Sequence, residues 1–326
     1  MSDSDSQNDT AREPARTSTL MAYCKLMRIG NVFTAFANIM MGYLVVQADL
    51  GITQITAENW QLLALLLVAT FCLYSAGMVL NDVFDVQRDT AERNNRPIPA
   101  GQVSLAAARK LGWGLLAAGV VCGALAGSGS LWIALAVAVS VVLYDWILKQ
   151  TPIAPIAMGL CRTFNILLGM SLADSPSAVW LGFAQHHLLI AGSVGVFVAG
   201  LTWFARTEAR VSNRGLLTFG VLTMMAGLWG LAMFPRFVPA DGMLRLSTDT
   251  ATMLIALLGI LTLTRCVVAI ADPVPAKVQA GVVSCLKSLI FFDASVILIV
   301  SDRNLAIATL ALLLPMLIIG KKIRAT

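Results

Sequence analysis

Long apolar stretches, most of them without charge, alternate with short polar segments along this 326-residue chain. A helix needs about 20 apolar residues to cross the hydrocarbon core of a bilayer, and these stretches come close to that length. They cover residues 29–48, 60–80, 111–127, 131–147, 152–172, 186–205, 215–235, 251–271, 279–300 and 304–320. The pattern predicts an all-α fold, a polytopic transmembrane bundle of nine or ten helices. Between the third and fourth stretches, Gly127 to Ser130 predicts a tight turn.

Composition supports this fold and excludes other classes of protein. Hydrophobic residues make up 58% of the chain and charged residues 13%, which is unlike a soluble domain of this length. The apolar stretches lack the alternating pattern of an outer-membrane barrel. No soluble basic face remains that could bind nucleic acid. We therefore expect the lipid bilayer, and no nucleic acid, among the partners of this protein.

The polar segments predict how the chain is oriented. Residues 1–18 are rich in Ser, Asp and Arg, which is typical of a disordered cytosolic tail. Residues 19–326 then form a single transmembrane domain, and most of the 23 Lys and Arg residues fall on the side of the tail. We expect a multi-pass protein of a bacterial-type inner membrane with a cytosolic amino terminus. His186 and His187 are predicted to lie at the opposite membrane interface.

A charged stretch at residues 81–101, NDVFDVQRDTAERNNRPIPAG, follows the uncharged second apolar stretch. Asn81, Asp85 and Asp89 are spaced i, i+4, i+8, so a continuing helix presents them on one face. Mg²⁺ prefers oxygen ligands and commonly binds one or two carboxylates together with substrate phosphate. The spacing therefore suits a magnesium–diphosphate site. The alternative is a solvated loop whose charges mark the membrane boundary, although the rigid Pro-x-Pro-x-Gly turn favours the site.

The segment NDVFDVQRD followed by RNNRPIPAG resembles the first aspartate-rich motif of the UbiA family of intramembrane prenyltransferases. The family pattern is NDxxDxxxD and then RPxxxG, and every element is present here. The number and length of the apolar stretches also agree. The resemblance implies a UbiA-like fold in which Asn81, Asp85 and Asp89 bind Mg²⁺, with Asp85 and Asp89 catalytic. It also implies that Asn81 and Arg96 help to bind the diphosphate of an isoprenoid donor.

Six further positions match weaker features of the family. Arg28 precedes the first span, where the family has a basic residue that meets phosphate. Tyr144 and Lys149, together with Asp145 in the segment LYDWILKQTP, resemble the family's short cytosolic turn between spans four and five. Arg162 and Asn165, in GLCRTFNILLG, match an R-x-x-N pattern. The resemblance implies that all of them except Asp145 contact the diphosphate. Membrane anchoring is the alternative role for Arg28 and Lys149, and snorkelling is the alternative for Arg162.

The second acidic motif of the family, often DxxxD after the sixth span, is incomplete in this chain. The region reads LTWFARTEARVSNRG, and Glu208 is its one acid. We expect Glu208 to serve as a catalytic carboxylate and metal ligand. Arg206 and Arg210 are expected to bind diphosphate, because an arginine fork can bind phosphate through two hydrogen bonds. The FARTEA segment is similar to a divergent branch of the family, the EboC-like proteins.

The resemblance implies a membrane enzyme that moves an isoprenyl group from a prenyl diphosphate to an aromatic or other lipophilic acceptor with Mg²⁺. The incomplete second motif leaves an alternative, a catalytically impaired UbiA-like protein that binds or transports polyprenyl lipids. Arg265, Lys287 and Asp293 favour this alternative, since ionisable residues in or near spans commonly mark a pathway or a buried pair.

Overall fold

The computed structural model describes residues 19–52, 56–173, 178–208, 211–239 and 243–325. Residues 1–18, for which the sequence predicts a disordered tail, lie outside this part. The α-helices of the described chain are α1 (Thr19–Leu26), α2 (Ile29–Asp49), α3 (Ala57–Phe84), α4 (Val86–Glu92), α5 (Leu105–Ala126), α6 (Ser128–Trp146), α7 (Ala154–Gly169), α8 (Gln185–Ala205), α9 (Arg214–Met233), α10 (Thr248–Ala271), α11 (Pro275–Val300), α12 (Arg303–Ala311) and α13 (Leu313–Ala325). Strands β1 (Ala178–Trp180) and β2 (Phe183–Ala184) form an antiparallel hairpin.

Every apolar stretch that the sequence marks as a span forms helix. Nine helical spans in the described ranges are long and apolar enough to cross a membrane, and α7 is a shorter apolar helix of 16 residues. The last span consists of α12 and α13, which meet at Leu312, three residues before Pro315. Proline has no backbone N–H and disturbs the helical turn that precedes it. The predicted polytopic α-helical bundle is confirmed.

Local signals in the sequence set several helix ends. Thr56 and Asn59 form a capping box at the start of α3, and the Ser104 side chain accepts a backbone hydrogen bond at the start of α5. The junction of α5 and α6 is tighter than the predicted four-residue turn. Gly127 alone separates the two helices, with φ at 150°, a conformation that favours glycine.

The spanning helices form a closed ring in chain order. Each packs against the next along the chain from α2 and α3 through α5 to α11, and α11 returns to α2. Helix α7 also packs against α2, and α13 packs against α2 and α1. The helix ends that carry Arg28 and residues 81–101 therefore meet at one end of the ring, which we call the charged end.

A buried cluster of three side chains lies at the other end of α2. His186 and His187 lie in the first turn of α8, at the end of the bundle where the sequence places them, and are buried inside the protein at 1% and 0% exposure. Their Nε2 atoms lie 3.5 and 3.6 Å from the two carboxylate oxygens of Asp49. His187 Nδ1 accepts the backbone N–H of Ala184 at 3.2 Å. A neutral His187 therefore carries its proton on Nε2, which faces Asp49 as a donor and not as a metal ligand.

Candidate functional site at the charged end

A cavity of about 330 Å³ lies where α3 passes into α4 at the charged end of the ring. Its apolar lining includes leucine, valine and methionine side chains from four helices. Its polar lining consists of Arg28, Tyr74, Asn81, Asp85, Arg93, Arg96, Tyr144, Asp145, Arg162 and Asn165. Four of these are arginines and two are aspartates, so the wall has an excess of positive charge. Such a cavity suits a ligand with an anionic head and an apolar tail.

The acidic stretch forms two helical segments joined at Asp85. The backbone hydrogen bonds continue across the joint, from Asp85 N to Asn81 O at 3.0 Å and from Asp89 N to Asp85 O at 2.8 Å. The i, i+4, i+8 spacing therefore places Asn81 and Asp85 together on the cavity wall. Asp89 is only 3% exposed, and its carboxylate is held by Arg96.

Arg96 joins two buried carboxylates behind the cavity wall. Its Nη1 lies 2.8 Å from Asp82 Oδ1 and 2.6 Å from Asp89 Oδ2. The turn that follows, residues 97–101, is closed by hydrogen bonds from the amides of residues 102 and 103 to Pro97 O. Ile98 packs in a small apolar core beside α3. The rigid turn thereby holds the Arg96 side chain against the acidic residues that precede it in the chain.

Arg28 lies at the joint between α1 and α2 in a left-handed conformation, with φ 48° and ψ 46°. This conformation is uncommon for residues other than glycine, and it is often found at functional sites. It lets the side chain reach Asp82, whose Oδ1 lies 3.3 Å from Arg28 Nη2. Arg28 therefore supplies a partly exposed positive charge to the mouth of the cavity, where the sequence places it.

The end of α6 and the turn that follows it supply a second acid and a cation. Lys149 Nζ lies 2.7 Å from Asp85 Oδ1, so the predicted partner of diphosphate is an ion-pair partner of the acidic motif. Asn81 Nδ2 donates to Asp145 Oδ1 at 2.8 Å. Because that bond occupies the amide nitrogen, Asn81 presents its carbonyl oxygen as the remaining acceptor. Tyr144, the neighbour of Asp145, lines the same cavity.

Arg162 anchors a buried polar network that extends from the cavity into the bundle. Its Nη1 donates to Asn38 Oδ1 at 2.6 Å, and its Nη2 donates to Thr34 Oγ1 at 3.3 Å. Asn38 Nδ2 in turn donates to both oxygens of Asp293, at 2.9 and 2.8 Å. Asn38 therefore connects Arg162 to the carboxylate of Asp293. A fully buried carboxylate such as Asp293 needs this compensation.

Asn165, one turn further along α7, holds three helices together. Its Nδ2 donates to the backbone carbonyl of Ala35 on α2 at 3.2 Å, and its Oδ1 accepts a hydrogen bond from Thr70 on α3. Both the R-x-x-N residues therefore line the cavity, and each is fixed by neighbours on other helices.

The loop after α8 lies near the acidic stretch but outside the cavity wall. Burial raises the pKa of Glu208 above its ordinary value, and the positive charge of nearby Arg93 opposes that rise. Arg206 Nη2 donates to the carbonyl of Thr151 at 3.2 Å. Neither Glu208 nor Arg206 is among the described residues that line the cavity. Arg210 lies outside the described residues.

Three charged residues of the site were not among the predicted site residues. Asp82 forms ion pairs with Arg28 and Arg96, and Asp145 accepts a hydrogen bond from Asn81. Arg93 lines the cavity and lies near Glu208. The signal for Asp145 was its place in the family-like segment LYDWILKQTP, although no role at the site was assigned to it. Asp82 and Arg93 lie inside the charged stretch, where the i, i+4, i+8 rule selected other positions.

The donor set at the cavity fits Mg²⁺. Asp85 offers a carboxylate and Asn81 an amide oxygen, which are ligands that this ion takes together with phosphate and water. Lys149 neutralises the carboxylate of Asp85, and Arg96 neutralises those of Asp82 and Asp89. In the described part of the chain, a group of three potential His, Cys, Asp or Glu ligands is found at Asp49, His186 and His187. No such group of three is found among the described residues of this cavity. The site therefore offers Mg²⁺ one or two protein ligands and leaves the rest to substrate.

The fold and the site define the class of protein: an α-helical membrane bundle with an arginine-rich cavity at one end that suits an anionic ligand. The chain belongs to the UbiA prenyltransferase family, whose model matches residues 39–209, just over half of the chain. The matched range includes the acidic stretch, the turn after α6 and the R-x-x-N residues.

Curated relatives share about one third of their residues with this chain over the aligned region. Digeranylgeranylglyceryl phosphate synthase of Metallosphaera sedula is 34% identical over 137 residues, which are 40% of this chain and 44% of the relative. The protein of the same name from Methanopyrus kandleri is 33% identical over 167 residues, which are 50% of this chain and 57% of the relative. The chain thus spans about half the length of these relatives.

Solved structures confirm the fold over most of the chain. A UbiA homolog from Aeropyrum pernix K1 has a TM-score of 0.62 at 18% identity and covers 81% of this chain and 97% of its own. A structure of digeranylgeranylglyceryl phosphate synthase has a TM-score of 0.61 at 20% identity, with 90% and 99% covered. A homolog from Archaeoglobus fulgidus bound to DMAPP and Mg²⁺ has a TM-score of 0.50 at 12% identity, with 89% and 99% covered.

Proposed function

We propose that this chain is a membrane-embedded prenyltransferase that moves an isoprenyl group from a prenyl diphosphate to a lipophilic acceptor with Mg²⁺. One observation carries the proposal: Asn81 and Asp85 share a cavity with four arginines and an apolar wall. The homolog bound to DMAPP and Mg²⁺ supports the donor and the ion. The relatives named as digeranylgeranylglyceryl phosphate synthases support a lipid-like acceptor.

The residues of the cavity divide into metal-holding and charge-stabilising groups. Asp85 and the Asn81 carbonyl would hold Mg²⁺, which when bound polarises phosphate oxygens and stabilises the charge of the leaving group. Arg28, Arg93 and Arg162 line the same cavity and contribute positive charge to it. As the allylic C–O bond breaks, its electron pair leaves with the diphosphate, and fixed cations stabilise that charge more strongly than water can.

Other residues prepare the cavity for that ligand. Lys149 neutralises Asp85 until Mg²⁺ binds and can then pair with diphosphate, because a lysine side chain moves as a flexible point charge. Asp145 orients Asn81, and Arg96 keeps Asp82 and Asp89 neutralised behind the wall. Glu208 lies outside the cavity wall, and Arg93 is the charged residue of the wall that is near enough to influence it.

The apolar part of the wall would hold the prenyl chain and exclude water from its reactive carbon. Leu73, Val137, Val141, Met158 and Val198 contribute to this part. Exclusion of water matters because water would quench an allylic cation before the acceptor attacks. The acceptor then forms the new bond to that carbon and loses its proton. We place the charged end on the cytosolic side, since most of the cations lie there.

A second candidate function is binding or transport of a polyprenyl lipid without turnover. The observation that favours it is the position of Glu208 and Arg206, which leaves the cavity with a single acidic motif. The two functions differ in whether a bond to the prenyl carbon is broken.

The test is prenyl transfer by the purified full chain in detergent. Radiolabelled prenyl diphosphates of several chain lengths are incubated with Mg²⁺ and a set of lipophilic acceptors, both aromatic and glyceryl lipids. We expect labelled product together with released diphosphate, both abolished by EDTA. Magnesium-dependent binding of the donor with no release at any chain length would support the binding function and reject the transferase.

A further inference from the structure

A second cavity, of about 300 Å³, lies between the α1–α2 joint, α11 and α13. We call it the lateral cavity. Its lining combines three basic side chains with apolar side chains of α11 and α13. Among the residues that the structure describes, Arg28 alone lines both this cavity and the candidate active site.

The charged residues that line the lateral cavity in the described part of the chain are all basic. They are Lys25, Arg28 and Lys287. In the described part of the chain, Arg28 forms an ion pair with Asp82, whereas no ion pair involves Lys25 or Lys287. Three cations that converge without a matching number of acids repel one another, and an anionic ligand relieves that repulsion.

The position of Lys287 makes this charge unusual. It lies near the middle of α11, a helix long and apolar enough to cross a membrane. An ionisable side chain inside a span is costly, and it normally faces a partner or a functional cavity. The protein partner of Asp293, six residues further on, is Asn38, so Lys287 and Asp293 do not pair with each other.

The remaining lining is apolar and is held in place by close helix packing. Val283, Leu286, Met316 and Leu317 form this part of the wall. A Cβ atom added at Gly30 would lie 3.1 Å from Gly320 Cα, so α13 approaches α2 directly beside the cavity. The lateral cavity thus combines a basic region with an apolar one, and helix α13 closes one of its sides.

We propose that the lateral cavity binds the phosphate-bearing head group of an anionic lipid. The cations match a phosphate, and the apolar side chains match the first carbons of an acyl or prenyl chain. A free phosphate ion would contact only the cations, whereas an anionic lipid would also contact the apolar side chains. This difference distinguishes the two possible ligands. The site does not depend on prenyl transfer, but its occupant would share Arg28 with a diphosphate in the active site.

The test is equilibrium binding of tritiated dioleoyl phosphatidic acid to the detergent-purified full chain. We expect wild type to bind this lipid at least tenfold more tightly than dioleoyl phosphatidylcholine, whose head group has no net charge. Lys287→Gln is expected to weaken phosphatidic acid binding about tenfold, which corresponds to about 1.4 kcal/mol of binding free energy. Lys287→Arg keeps the charge and should bind within about threefold of wild type.

The matched control is Arg265→Gln, which removes a cation of α10 that lies outside the lateral cavity. It should leave phosphatidic acid binding unchanged within about twofold, since exposed charges contribute little. If Lys287→Gln does not fold, Lys25→Gln tests the same cavity from the α1 side. Equal loss in Arg265→Gln and Lys287→Gln, or no loss in Lys287→Gln, would overturn the proposal. Competition by inorganic phosphate as effective as by the lipid would also overturn it, because the ligand would then be the free ion.

Discussion

Asp85→Asn is expected to lower magnesium-dependent release of diphosphate from a prenyl diphosphate by about 100- to 1,000-fold. Asp85 is the carboxylate of the first motif that lines the cavity, and it forms an ion pair with Lys149 at 2.7 Å. The substitution keeps the shape of the side chain and removes the charge that would hold Mg²⁺. Steady-state release of labelled diphosphate measures the effect. Raising the Mg²⁺ concentration should recover part of the activity, since the loss is one of metal affinity.

The control for this prediction is Asp272→Asn. Asp272 is an exposed carboxylate that pairs with Lys277 at 2.6 Å, and neither residue lines the cavity. Its replacement should leave diphosphate release unchanged within about twofold, because exposed ion pairs contribute little. Release in Asp85→Asn comparable to wild type at every Mg²⁺ concentration would remove Asp85 from the metal site.

Arg162→Met is expected to lower the free energy of unfolding by about 3–5 kcal/mol. The arginine side chain donates to Asn38, which in turn donates to both oxygens of the fully buried Asp293. Removing it leaves a buried carboxylate with one neutral partner. Thermal unfolding of the detergent-purified protein measures the loss, and diphosphate release should fall as well because Arg162 lines the cavity.

The double variant Arg162→Met/Asp293→Leu separates these two effects. Replacing both charges by apolar side chains of similar size is often neutral for stability, so most of the loss should be recovered. Activity should stay low, since the double variant still lacks the cation in the cavity. Equal instability of the single and double variants would show that Arg162 and Asp293 are not coupled through Asn38.

The fold followed closely from the sequence because each span is a nearly unbroken apolar stretch bounded by charge or by turn residues. The nine-or-ten ambiguity has a physical origin in α7 and in the α12–α13 pair. Helix α7 has only 16 residues, and the last span is broken beside Pro315. The burial of His186 and His187 could not be read from the sequence, because it depends on Asp49 at the far end of α2.

The site was predictable where chemistry and spacing coincide in one segment. Asn81 and Asp85 follow from helical periodicity, and Arg28, Tyr144, Lys149, Arg162 and Asn165 follow from the family resemblance; all but Lys149 line the cavity, and Lys149 pairs with Asp85. The burial of Asp89 does not follow from periodicity, since it depends on how the Pro-x-Pro-x-Gly turn returns Arg96. The Asn81–Asp145 bond joins residues 64 positions apart, a contact that no local pattern encodes.

The most direct measurement of the central claim is a structure of the full chain with Mg²⁺ and a non-hydrolysable prenyl thiolodiphosphate. We predict that the diphosphate lies in the cavity lined by Asn81, Asp85, Arg28 and Arg162, with its metal on Asp85 and the prenyl chain against the apolar wall. Density for the diphosphate elsewhere, such as the lateral cavity at Lys25 and Lys287, with the Asp85–Lys149 ion pair intact, would contradict the account.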